Sequence, residues 1–119
     1  MVFMGTGKKK QAVFEGSSLD ELLAFPPPAR EAAGFQIYLV ELGRDPDDWK
    51  PMKGIGAGVR EIRIADTQGQ YRVIYVAKFD EAVYVLHAFT KKTQKTPQRN
   101  LDMAAARYKA LVKRRRERS

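Results

Sequence analysis

The chain has 119 residues and no cysteine, and its 22 lysine and arginine residues against 14 aspartate and glutamate residues give a formal net charge of +8. This length predicts one domain that buries its own core, while the composition excludes disulfides, thiolate metal sites and an apolar run of the roughly 20 residues that cross a bilayer. The basic charge favours a polyanionic partner, either nucleic acid or an acidic protein, over surface lysine that serves only solubility.

The domain boundaries follow from composition. Residues 1–10 have no long apolar run after their charged residues, so we expect a flexible N-terminus there and no secretory signal. A single folded domain is expected over residues 11–112, followed by a basic C-terminal tail over residues 113–119. With neither a signal sequence nor a membrane span, the expected location is the cytoplasm.

Two helices are predicted after a weak strand pattern at residues 11–15. Ser18 and Glu21 have the spacing of a capping box, which places a helix start at Ser18. Three consecutive prolines end that helix, because proline cannot donate a backbone hydrogen bond. An apolar stripe at helical spacing then predicts a second helix over residues 29–42, so the two form an N-terminal helical hairpin.

Strand patterns and a last helix follow. Alternating apolar residues predict strands at 59–64, 71–77 and 82–89, and the tight turns between them predict an antiparallel meander. Thr96 before Pro97 is typical of the start of a helix. The expected fold class is therefore α+β: an antiparallel sheet of three to four strands with an N-terminal helical hairpin and a C-terminal helix, the helices covering one face.

Local sequence resembles the RelE/ParE/HigB toxin superfamily. The stretches that carry the resemblance are residues 59–64, 71–75 and 85–97. The last of them, with Ala104 and Arg107 on the following helix, is similar to the phage-derived branch of HigB-like killer proteins. The resemblance runs from Phe14 to about Lys109 and implies a RelE-like fold.

A specific activity and partner are implied by this resemblance. It implies a toxin of a type II toxin–antitoxin system, a ribosome-dependent endoribonuclease that cleaves mRNA without a metal or other cofactor. It also implies a cognate antitoxin, often a helix-turn-helix protein. Two alternatives stay open: a gyrase-inhibiting toxin of the ParE kind, and a nucleic-acid-binding module without catalysis.

Two arginines on adjacent strands are candidate catalytic residues. The resemblance implies that Arg72 contacts the scissile phosphate, and a planar guanidinium suits bidentate phosphate binding. The alternative is an exposed strand arginine in a cross-strand pair. Arg63 lies near a family position that carries a basic catalytic residue. Glu61 stands where relatives carry lysine; it can act as a base or pair with Arg63, and we favour the salt bridge.

The loop before the last helix is rich in lysine. Lys91 and Lys92 are candidate catalytic residues, since a lysine crowded by other cations can have a pKa low enough for proton transfer. The alternative is a solvated basic loop. Other basic residues are expected to bind RNA phosphates, namely Lys95, Arg60, Arg114, Arg115 and Arg116.

The single histidine of the chain, His87, excludes a ribonuclease mechanism with two histidines from one chain. Strand alternation groups it with Val83, Val85 and Phe89. A packed or paired role is favoured over catalysis. No metal site is predicted, because the aspartates at 45, 47 and 48 lack the spacing of a calcium-binding EF-hand loop.

Overall fold

A short strand, two helices and a second short strand precede a three-stranded meander, and one long helix follows it. The computed structural model describes residues 9–118. Residues 1–8 of the predicted flexible N-terminus therefore lie outside the described residues. In chain order the elements are β1 (Ala12–Phe14), α1 (Ser18–Leu23), α2 (Pro27–Glu41), β2 (Trp49–Pro51), β3 (Val59–Asp66), β4 (Gly69–Val76), β5 (Val83–Lys91) and α3 (Gln98–Arg118). Lys10 is tied to the fold, since its Nζ donates to the carbonyl oxygens of Ala77 and Phe79 at 2.6 and 2.9 Å.

The sheet has five strands in the order β1-β5-β4-β3-β2. The antiparallel meander of β3, β4 and β5 is confirmed. The expectation of three to four antiparallel strands is wrong, because β2 adds to β3 and because β1 runs parallel to β5. Each added strand has three residues, which is too short to show an alternating pattern in the sequence.

Helices cover both faces of the sheet rather than one. The hairpin of α1 and α2 packs on the first face, here called the hairpin face, and the strand residues buried there are Ile62, Ile64, Tyr71, Val73, Tyr75, Val83 and Val85. Ala104 and Leu111 of α3 pack on the opposite face, here called the α3 face, whose buried strand residues are Val59, Ile74, Val76, Tyr84, Leu86 and Phe89. Because β4 and β5 are buried on both sides, apolar residues run through them almost without a break.

A β-bulge in β5 changes which residues share a face. Tyr75 pairs with Val85 while Ile74 pairs with His87, so Leu86 is an extra residue opposite β4. Beyond the bulge, His87 shares the α3 face with Ile74. The predicted grouping of His87 with Val85 is therefore wrong, because simple alternation cannot anticipate an inserted residue.

The helix starts also differ from the expectation. α1 follows Ser17, and the Ser18 hydroxyl donates to the Val85 carbonyl at 3.1 Å instead of capping the helix. The predicted capping box is wrong because Glu21 turns toward β5 and α3. Pro27 and Pro28 begin α2. Proline is tolerated there because the first backbone N–H groups of a helix have no hydrogen-bond partner within the helix.

The last helix carries the basic C-terminal residues. α3 continues through residues 113–118, and its last turn contains Arg115, Arg116 and Arg118. Among the helices of residues 9–118, none combines the length and the apolar character that a membrane span requires.

Candidate functional site

A group of charged side chains lies on the α3 face, near the end of the sheet formed by the β3–β4 turn and the end of β5. We call Lys50, Arg63, Arg72 and Lys91, together with Glu61, the cation cluster. Cross-strand pairing assembles it, since the facing pairs are Lys50 with Glu61, Arg63 with Arg72, and Gln70 with Lys91. Glu61 and Arg63 are two residues apart on β3, so both side chains point to the same face.

Glu61 is the centre of the cation cluster. Its side chain is 1% exposed, and its Oε1 lies 3.7 Å from Arg72 Nε, 3.9 Å from Arg63 Nε and 3.9 Å from Lys50 Nζ. These distances allow electrostatic attraction and exceed the range of a hydrogen bond. The carboxylate therefore balances part of the positive charge without fixing its neighbours in hydrogen-bonded positions.

Hydrogen bonding in the cluster is incomplete. Within residues 9–118, Glu61 Oε2, Arg63 Nε and Arg72 Nε are buried without a hydrogen-bond partner. The other Arg72 nitrogens donate at 3.0 Å to the Tyr71 carbonyl and to Gln70 Oε1, which hold the guanidinium in place. Because buried polar groups are normally satisfied, these atoms show that the cluster is not fully compensated by hydrogen bonds within residues 9–118.

The cluster shifts the protonation equilibria of its own members. Burial lowers the pKa of Arg72, nearby Arg63 lowers it further, and Glu61 opposes both effects. The pKa of Lys91 is also lowered, first by burial and then by the charge of Arg72. Burial is the largest cause of both shifts, and the neighbouring cations add to it.

The cluster opens to solvent through two cavities that share Gln70. One, of about 330 Å³, is lined by Asp48, Arg63, Ile64, Ala65, Gln70 and Arg72. The other, of about 480 Å³, is lined by Gly69, Gln70, Lys91, Lys92, Thr93 and Gln94. Lys92 and Lys95 are exposed on the loop beside the second cavity. We call the two cavities together the cation groove.

Arg60 does not join the groove. It neighbours Glu61 on β3 and therefore points to the hairpin face. Its Nη1 donates to Asp45 Oδ1 at 2.8 Å, and its guanidinium stacks 3.8 Å from the centre of the Trp49 ring. These contacts make Arg60 part of the packing around β2.

The C-terminal arginines lie toward the other end of α3. Arg114 forms an ion pair with Glu15, and Arg115 Nε donates to Glu81 Oε2 at 2.7 Å. At 1.5 Å per residue, Arg114 is roughly 24 Å along the helix from Gln98, which begins α3 next to the basic loop. Arg116 is exposed in the same region. The structure therefore separates all three from the cation groove.

A second polar cluster contains the histidine. We call Ser17, Glu21, His87, Asn100 and Arg107 the His87 network. His87 Nδ1 lies 2.8 Å from Glu21 Oε1 and its Nε2 lies 2.7 Å from Asn100 Oδ1. Arg107 Nη1 donates to Glu21 Oε1 at 2.9 Å, and Arg107 Nη2 donates to the Ser17 hydroxyl at 2.9 Å. This network joins α1, β5 and α3.

The His87 network is distinct from the cation cluster. The His87 side chain is 7% exposed, with both ring nitrogens engaged. Phe89 stacks on the His87 ring with 5.3 Å between ring centres, and Phe89 is also the cross-strand partner of Arg72. The Phe89 ring therefore lies between the His87 ring and the cation cluster along β5.

Comparison with known families places the chain. Residues 20–109, about three quarters of its length, match the family described as phage-derived Gp49-like proteins (DUF891). The chain belongs to the phage-derived Gp49-like family. That family is generally linked to toxins of toxin–antitoxin systems. No curated protein is significantly similar to this Gp49-like chain.

The family match of the Gp49-like chain covers both polar clusters apart from Ser17 and ends before Arg114. Sequence reasoning missed several of the residues in them. Lys50 reaches Glu61 only through β2–β3 pairing, and Glu21 meets Arg107 across 86 positions of the chain. Arg107 had a signal in the sequence, because it lies on the helix that follows the stretch resembling HigB-like proteins.

We expect the stability of this Gp49-like protein to fall in acid through Glu21. Burial raises the pKa of Glu21, but hydrogen bonds from Arg107 and the proximity of His87 lower it more, so the net shift is below 4.5. The unfolded chain then takes up the proton first, so this stabilisation is present above pH 4.5 and is lost as the pH falls through the folded-state pKa.

The measurement is urea unfolding between about pH 6 and about pH 3. The wild type should lose more free energy of unfolding over this range than Glu21→Gln. Glu117→Gln, a change at an exposed position of α3, is the control and should follow the wild type. Equal losses in wild type and Glu21→Gln would contradict this assignment.

Proposed function

We propose that this protein is the toxin of a toxin–antitoxin system and cleaves mRNA on the ribosome by a metal-independent mechanism. The observation that carries the proposal is Arg72, whose buried Nε lacks a hydrogen-bond acceptor at the edge of a solvent-open groove. Arg63 and Lys91 lie beside it, so several positive charges converge on one point. Fixed cations aimed at a phosphate stabilise the charge that develops during its displacement.

The proposed reaction is an internal attack by the ribose. The 2′-oxygen forms a bond to the adjacent phosphorus while the bond from phosphorus to the 5′-oxygen breaks, which leaves a 2′,3′-cyclic phosphate and a 5′-hydroxyl. Arg72 and Arg63 bind the non-bridging oxygens, which gain charge in the transition state. Lys91 donates a proton to the leaving 5′-oxygen, and its lowered pKa makes it a stronger acid than an ordinary lysine. The proton of the 2′-hydroxyl passes to water.

Glu61 is a positioning residue in this proposal. At 1% exposure its carboxylate lies beneath the guanidinium groups and does not reach a ribose bound in the groove. It lowers the cost of gathering four cations at one place. A bound phosphate would supply the acceptors that Arg63 Nε and Arg72 Nε lack.

The charge of the chain also supports the proposed partners. A net charge of +8 attracts ribosomal and messenger RNA at long range. The same groove is a suitable surface for a cognate antitoxin, for which we propose a helix-turn-helix protein with an acidic segment. Such a segment would cover the cation groove by charge complementarity.

Cleavage of a defined mRNA in a translation extract, mapped by primer extension, tests the proposal. The double change Lys91→Ala with Lys92→Ala should lower the cleavage rate about 10²-fold or more, because it removes the proposed proton donor and its neighbouring charge. Lys109→Ala with Lys113→Ala, two exposed lysines of α3 outside the groove, is the matched control and should cleave normally.

The same extract, together with a DNA supercoiling assay, distinguishes mRNA cleavage from gyrase inhibition and from RNA binding without catalysis. An intact mRNA together with inhibited DNA supercoiling would identify a gyrase poison. Intact mRNA, uninhibited gyrase and retained RNA binding would identify a binding module without catalysis.

A further inference from the structure

A third cavity lies between β2, the turn after it and the first half of α3. It measures about 400 Å³, and its apolar wall is formed by Met52, Ile55, Leu101 and Ala105. We propose that this cavity, here called the base pocket, binds one nucleobase of the RNA strand whose phosphate lies in the cation groove. The inference rests on the proposed function and adds to it a site that reads the identity of a base.

The walls of the base pocket are held in place by packing. Gly56 lies so close to α3 that a Cβ at this position would stand 2.3 Å from Tyr108 Cε2, so only glycine allows this approach. The turn is also fixed by its backbone, since Met52 N donates to the Val59 carbonyl at 2.8 Å and Ile55 N to the Met52 carbonyl at 3.0 Å. The pocket is therefore formed before any ligand arrives, as is usual for binding sites.

Lys50 connects the base pocket to the cation cluster. Its side chain lines the pocket, and its Nζ lies 3.9 Å from Glu61 Oε1, the oxygen that faces Arg72 at 3.7 Å. The two sites thus share one residue on one face of the sheet. In a nucleotide one sugar separates the base from its phosphate, and Lys50 is the side chain past which a strand held at Arg72 would reach the pocket.

The chemistry of the pocket suits a flat ring with a polar edge. Apolar side chains offer a surface for the ring face, and Gln98 and Asp102 stand at the rim. Gln98 Nε2 donates to Asp102 Oδ1 at 2.9 Å, which leaves Asp102 Oδ2 and Gln98 Oε1 as acceptors. Guanine carries two adjacent donors, N1–H and the N2 amino group, on one edge. The pocket is therefore expected to prefer guanine over adenine, cytosine and uracil.

Binding of short oligonucleotides tests this inference without cleavage. The probes are deoxyribose hexamers in which five positions are tetrahydrofuran abasic sites and one carries guanine, adenine, cytosine or uracil, with a fully abasic hexamer as reference. Fluorescence anisotropy at fixed salt should show the guanine probe binding about tenfold more tightly than the abasic one. The abasic probe reports phosphate binding alone.

Two neighbouring alanines of α3 provide matched variants. Ala105→Phe fills the pocket, so it should abolish the gain from guanine and leave the affinity for the abasic probe unchanged. Ala106→Phe places the same ring at an exposed position and should keep the gain. Asp102→Asn replaces an exposed acceptor by a donor, so it should remove the preference for guanine even if Ala105→Phe proves unstable.

The binding results test the base pocket independently of the proposed mRNA cleavage. A gain that survives Ala105→Phe in a folded protein, or no gain from any base, would overturn the base pocket. Equal affinity for the four bases, or a guanine preference that survives Asp102→Asn, would overturn the guanine assignment. If mRNA cleavage still depends on Lys91 and Lys92 in either case, the proposed function stands without the pocket.

Discussion

Replacing Arg72 with alanine is expected to lower the rate of mRNA cleavage by about 10²- to 10³-fold, the loss typical of removing one preorganised donor to a developing anion. Arg72 is the most buried cation of the cluster, and its Nε is an unused donor. The fold should survive, because Glu61 keeps Arg63 and Lys50 as neighbours. Single-turnover cleavage of mRNA on programmed ribosomes measures the rate, and circular dichroism monitors the fold.

Two further variants sharpen this prediction. Arg72→Lys keeps the charge and loses the planar fork, so it should recover only part of the activity. Arg60→Ala removes an arginine of β3 that pairs with Tyr75 and points to the hairpin face, outside the groove. It should leave the cleavage rate of the folded protein unchanged. Normal cleavage and growth arrest with folded Arg72→Ala would remove Arg72 from the site.

Arg107→Ala is expected to destabilise the protein by about 3–5 kcal/mol, because it leaves the partly buried Glu21 carboxylate without its cation. The change also removes the donor to the Leu86 carbonyl, which Arg107 Nη1 contacts at 2.9 Å. Since the stability of a domain is about 5–15 kcal/mol, a loss of this size leaves a marginal fold. Urea unfolding at neutral pH measures the difference.

Arg116→Ala is the control for this measurement, since Arg116 is an exposed arginine of the same helix. Its effect should stay within about 0.5 kcal/mol, as is usual for surface changes. A loss below about 1 kcal/mol for Arg107→Ala would instead place the His87 network among weakly coupled surface contacts.

The periodic elements of this protein were predictable from local sequence. Alternation over β3, β4 and β5 indicated three strands, and it placed Glu61 and Arg63 on one side of β3. Helical spacing indicated α2 and α3. These predictions succeed because an apolar period reports directly on which side of an element is buried.

The arrangement of the candidate site was decided only by tertiary structure. Lys50 joins the cation cluster through pairing of a three-residue strand, and His87 changes face because of one inserted residue in β5. α3 covers the second face of the sheet, which takes Arg114 away from the groove and brings Arg107 to Glu21. Local periodicity contains no information on which distant segment becomes the neighbour, because that choice depends on the packing of the whole chain.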